Sequence, residues 1–134
     1  MATLHQRAGL DQGLEQLRRD LRRLASMVDV AIEQSVASLA RLDGAQAERV
    51  IVGDRAINDL RYAIEDASIH IIAMQQPIAG DLRFVIAVLM VASELERMGD
   101  RVQNICERTI YEATGVLREF GSGDADDDAR HNDA

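Results

Sequence analysis

The sequence predicts an all-α fold, a long antiparallel three-helix bundle. Apolar residues recur every three or four positions along three long stretches, the spacing of helices with one buried face. Two short breaks, Asp43-Gly44 and Gln75-Gln76-Pro77-Ile78-Ala79-Gly80, separate those stretches. The apolar residues are Leu, Ile, Val, Ala and Met; aromatics make up 3% and tryptophan is absent. Such side chains suit helix-on-helix packing, and no strand-like alternation competes. A chain of 134 residues is enough for one domain.

Residues 1–9 read as a flexible lead-in, and residues 10–118 as the helical domain. The first helix is expected over about residues 10–42. Leu10, Leu14, Leu17, Leu21, Leu24, Val28, Ala31, Ser35 and Leu42 form its seam, spaced four and three apart like a heptad. Arg18, Arg19, Arg22 and Arg23 flank that seam. Interleaved with Glu15 and Asp20, they read as a solvated face rather than a membrane-binding strip. Asp43-Gly44 ends the helix, with Gly44 suited to a positive-φ cap. The second helix, about residues 45–74, has a stripe of Val50, Ile57, Leu60, Ile64, Ala67, Ile71 and Met74. Asp54, Asn58, Arg61 and Glu65 lie on one flank, and His70 on the back edge reads as a packing residue. Pro77 lacks a backbone donor and disfavours helix in the residue before it. Asp81 is the expected N-cap of a third helix over about residues 82–117. Each helix is about 45 Å long at about 1.5 Å per residue. Residues 119–134 hold five aspartates and almost no apolar side chain, which predicts a disordered acidic tail.

The formal net charge is −8 and every basic residue is arginine. An acidic total argues against nucleic acid as a partner, because phosphate binding needs clustered positive charge. The first residues lack the apolar segment of a secretory leader. The uncharged apolar run at 84–93 is too short to span a bilayer. Cys106 is the single cysteine, so no internal disulfide forms and a reducing, cytoplasmic setting is expected.

The third helix carries the candidate site. On a straight helix with Leu89 at zero, Leu82 falls at about +20° and Val85 at about −40°. Glu96, Asp100 and Glu107 then fall within about 20° of Leu89. A stripe that is apolar in the first half becomes acidic in the second, while Leu95, Met98, Val102 and Ile105 form a separate sector. Counting from the Pro77 turn, Asp54 and Asn58 rise about 30 and 24 Å, and Glu96 and Asp100 about 21 and 27 Å. An antiparallel pair therefore brings four oxygen-bearing side chains to one level, a candidate site for a hard cation. The competing reading is an ion-pair network with Arg61, Arg97 and Arg101. Gly53 and Gly99 each precede a cluster aspartate and suit either close helix packing or approach of a ligand. No nucleophile–base pair, phosphate loop or Glu-x-x-His motif is present, so no enzyme activity is expected. Cys106 reads as a space-filler.

Three segments carry a resemblance. Asp54-Arg55-Ala56-Ile57-Asn58, the turn Gln75-Gln76-Pro77-Ile78-Ala79-Gly80-Asp81-Leu82-Arg83, and Glu96-Arg97-Met98-Gly99-Asp100 followed by Asn104-Ile105 and Glu107 together resemble the PhoU family of bacterial phosphate-transport accessory and phosphate-regulon regulator proteins. The resemblance implies one PhoU-type three-helix repeat, where typical members have two in tandem. It implies metal binding at Glu96 and Asp100 with Asp54 and Asn58, and carries Glu107 over as a further ligand. The metal would be a divalent or trivalent ion such as Mg, Mn, Zn or Fe. It also implies a cytoplasmic regulatory adaptor that negatively controls the phosphate regulon and phosphate uptake. That adaptor would link a phosphate ABC transporter to a sensor histidine kinase, touching the membrane only through its partners. A homodimer restoring the two-repeat arrangement is expected of a single repeat. The alternative is a structural helical interaction module with no metal-dependent role.

Overall fold

A computed structural model describes residues 2–118 and residue 120. It contains α1 (Ala2–Arg41), α2 (Gly44–Gln75) and α3 (Ala79–Thr114), each packed against the other two. The all-α, three-helix expectation holds; α1 and α2 are longer than the sequence pattern suggested, and α3 has the expected length but begins and ends three residues earlier. At about 1.5 Å per residue their 40, 32 and 36 residues span about 60, 48 and 54 Å. No described helix is long and apolar enough to cross a membrane.

The ends show where local chemistry overrode the pattern. The stretch read as a lead-in is helical from Ala2. Arg7 ties it down, bonding Asp11 at 3.1 Å and Asp81 of α3 at 2.9 Å. Asp81 is therefore not the cap: Ile78 is the N-cap and offers no side-chain bond, and Asp81 lies in the first turn. Between α1 and α2 the positive φ falls on Leu42 (51°), not on Gly44, which is already helical. Asp43 caps α2, its Oδ1 accepting the Gln46 N–H at 3.0 Å. Leu42, the last residue of the expected seam, is consequently 55% exposed. Helix α3 stops at Thr114, because Gly115 takes φ 71° and donates its N–H to the Tyr111 carbonyl at 2.7 Å. The disordered tail expected at 119–134 lies outside the described residues except for Phe120.

The core runs the length of the bundle in two parts. The larger holds Leu10, Leu14, Leu17, Leu24 and Val28 of α1, Ile57, Ile64 and Ile71 of α2, and Val85, Val88 and Ala92 of α3. The smaller holds Ala47, Val50, Val102, Cys106 and Ile110, with Phe120 folded against it. Ser35, Ser38, Ser68 and Thr109 are also buried, and each returns its hydroxyl hydrogen to a carbonyl of its own helix. Burial costs these hydroxyls little because they stay bonded. Cys106 fills space as expected; burial, then the charge of Glu107, pushes its thiol up to about 11. His70 does not pack: it is exposed.

Two glycines separate helix propensity from packing. A Cβ at Gly53 would meet nothing within 4 Å, whereas one at Gly13 would come within 3.0 Å of Ile71 Cδ1. Both sit inside helices, where alanine is favoured by about 0.5–1 kcal/mol. Gly53→Ala is expected to stabilise by about that amount. Gly13→Ala is expected to lose the gain to overpacking, which typically costs about 1–3 kcal/mol. Chemical denaturation of the two variants reads the contrast, and equal shifts would contradict the close α1–α2 approach at Gly13.

Candidate cation site between α2 and α3

The candidate site lies at the waist where the two core parts meet. Ile57 and Leu95 belong to the larger part, Val50 and Val102 to the smaller. Asp54 stands between Val50 and Ile57 on α2, and Gly99 between Leu95 and Val102 on α3. Gly99 is buried, and a Cβ there would lie 3.1 Å from Asp54 Oδ1 and 3.7 Å from Ile57 Cγ2. The missing side chain at 99 is thus what seats the Asp54 carboxylate against α3. Of the two glycines singled out from sequence, this one allows the close approach, and Gly53 does not.

Asp54 accepts a hydrogen bond from Asn58 Nδ2 at 3.3 Å. Among the described residues the buried Asn58 carbonyl oxygen has no partner, a costly state for an acceptor. Burial chiefly, then the charge of Asp100, holds the Asp54 carboxyl above the ordinary aspartate range; Asn58 opposes the rise and Glu96 adds to it. Two further carboxylates therefore act on the half-buried one across the helix pair. Glu96 is engaged by Arg61, whose Nε lies 3.1 Å from Glu96 Oε2, and Arg61 also reaches Glu65 at 3.5 Å. Asp100 is exposed.

The structure thus brings Asp54, Asn58, Glu96 and Asp100 to one level, as the residue counts required. Glu107 does not join them. It lies seven residues beyond Asp100, and its Oε1 accepts the Phe120 N–H at 3.2 Å, while Gln103 Nε2 donates to the Phe120 carbonyl at 2.9 Å. Among the described residues, no three His, Cys, Asp or Glu side chains converge into a ready-made metal cage. The donor set nevertheless suits a hard cation: all donors are oxygen, one carboxylate is repelled by two others, and one buried amide oxygen lacks a partner. The reading from sequence named Arg61 and Gly99 but not what each meets: Glu96 for the first and the Asp54 carboxylate for the second. Ala92, Gly99 and Cys106 are small residues spaced seven apart, and that spacing was the signal for a close helix approach.

Three long antiparallel helices and a waist of acidic side chains define an all-α bundle with an acidic patch. The chain belongs to the PhoU family: the PhoU domain matches residues 21–109. It is 40% identical over 97 residues to the phosphate-specific transport system accessory protein PhoU homolog of Aquifex aeolicus (strain VF5), covering 72% of this chain and 44% of that relative. It is 35% identical over 97 residues to the PhoU accessory protein of Escherichia coli (strain K12), covering 72% and 40%. A homolog from Rhizobium meliloti (strain 1021) is 32% identical over 124 residues, covering 92% and 52%. The chain therefore spans about half the length of the curated relatives it matches. No solved structure matches it.

Proposed function

We propose that this chain is a regulatory adaptor of bacterial phosphate homeostasis that restrains phosphate uptake and the phosphate regulon when phosphate is plentiful. It acts in the cytoplasm as a homodimer, without catalysing a reaction, and links a phosphate ABC transporter to a sensor histidine kinase. A divalent or trivalent cation (Mg, Mn, Zn or Fe) held by Asp54, Asn58 and Asp100, joined by Glu96 when Arg61 releases it, fixes α2 against α3. The observation that carries the reading is the PhoU match over residues 21–109, which spans the acidic waist. A second reading, a structural module without metal, draws support from the Arg61–Glu96 pair, an interaction that neutralises one acid without a cation.

The test joins two measurements. Metal content of protein purified without chelator is expected to be stoichiometric, and to vanish in Glu96→Ala/Asp100→Ala. Expressed in cells lacking their own adaptor, the chain is expected to restore repression of a phosphate-regulon reporter in high phosphate, and the double variant to fail. Unchanged metal content in the variant removes the site. A reporter that stays on with the unaltered chain removes the regulatory role.

A further inference from the structure

Resting on the reading of the chain as a homodimer, we infer that two copies pair antiparallel along the outward face of α1 and the exposed edge it shares with α3, in a register centred between Ala25 and Ser26. The edge is identified by Arg18, whose guanidinium lies 4.5 Å from the Phe84 ring centre and so joins one side of α1 to one side of α3. Steps of seven residues keep to one side of a helix packed in this way. From Arg18 they give Ala25, Ile32 and Leu39; from Phe84 they give Val91, Met98 and Ile105. Ile32 is 39% exposed, Leu39 40%, Val91 44% and Met98 47%, and the adjacent Val36 54%. No described element covers this strip.

The charges bordering it identify the occupant. Arg22 and Arg18 stand three and seven residues before Ala25; Asp29 and Glu33 stand three and seven residues after Ser26. All four are exposed. Turned end for end, this pattern complements itself: Arg22 meets Asp29 of the second copy and Arg18 meets its Glu33. Two-fold symmetry makes each pair twice. Of these four, only Arg18 is ion-paired in the described structure, with Glu15 at 3.4 Å. Small side chains at the centre let two helices approach closely. The same register treats the apolar strip consistently. Arg18 lies beside Phe84, and Ala31 packs on the cluster containing Val102, so α1 and α3 run parallel. Ile32 and Val36 then come level with the Phe84–Val91 end of the second copy's α3, apolar against apolar.

Sedimentation equilibrium of the intact chain tests the surface through a charge swap. The unaltered chain is expected to dimerise. Arg22→Glu alone and Asp29→Arg alone each set like charges opposite one another twice and are expected to weaken the dimer about tenfold or more. Combined, they exchange the signs and are expected to return its dissociation constant to within about threefold of the original. Both sites are exposed, so circular dichroism is expected to show unchanged helix content. A strict monomer at high concentration would overturn both this surface and the homodimer reading. A dimer unmoved by Arg22→Glu overturns the surface alone and leaves self-association standing. Single variants that weaken without rescue in the pair overturn the register.

Discussion

Leu24→Ala is expected to cost about 2–5 kcal/mol of unfolding free energy, the range for deleting a fully buried leucine side chain. Leu24 is 0% exposed and sits in the larger core part. The bundle has three helices and one layer of side chains between them, so each level of the core holds only a few residues. Neighbours at the next level cannot fill the hole without moving a helix. The loss also falls on a small total, since single domains unfold at about 5–15 kcal/mol. Val52→Ala is the control, on α2 and away from the strip proposed to pair two copies: Val52 is 77% exposed, and surface changes usually stay within about 0.5 kcal/mol. Urea denaturation at one fixed protein concentration reads both, the fixed concentration being needed because dimerisation also stabilises. A Leu24→Ala cost below about 1 kcal/mol would mean that the α1 seam is not the core.

That seam was legible because a leucine every three or four residues has one structural meaning in a long helix. Leu10, Leu14, Leu17, Leu24 and Val28 are all buried. Only the end failed, at Leu42, where the chain reverses on a leucine and not on the nearby glycine. Helix α3 was harder to read. A straight-helix count from Leu89 placed Glu96 and Asp100 in the middle of the buried stripe. The stripe that is buried runs Val85, Ala92, Gly99 and Cys106, a seven-residue repeat. Such a repeat drifts about 20° per heptad from a straight helix. Two heptads of drift move Glu96 and Asp100 from the centre of the buried face to its α2 edge, with Glu96 partly buried and Asp100 exposed. Their level was right, because rise per residue is insensitive to that drift. The Arg7 clip to Asp81 was out of reach, since it joins residues 74 apart whose meeting depends on the finished bundle.

Asp54→Asn is expected to move stability and cation affinity in opposite directions. The Asp54 carboxyl is held above its ordinary value of 3.8, first by burial and then by Asp100. A raised carboxylate contributes its stability below the unfolded value, and that contribution is lost as pH rises through the folded value. At neutral pH the ionised Asp54 therefore opposes folding in the metal-free protein. Asparagine removes the charge, keeps an oxygen to accept from Asn58, and fits the seat over Gly99. Metal-free Asp54→Asn is expected to melt higher than the parent at pH 7, with the difference shrinking as pH falls towards 3.8. Cation affinity is expected to fall by more than about 100-fold, because even the outer partners of metal ligands cost about 10–100-fold when lost. Melting curves with and without added Mg or Mn across pH separate the two effects. Lower stability without metal would show that Asp54 is held by an attractive partner and that the waist is an ion-pair network. Higher stability with unchanged affinity would leave the strain real but remove Asp54 as a ligand. Only the opposed pair of shifts fits a carboxylate kept under repulsion until a cation relieves it.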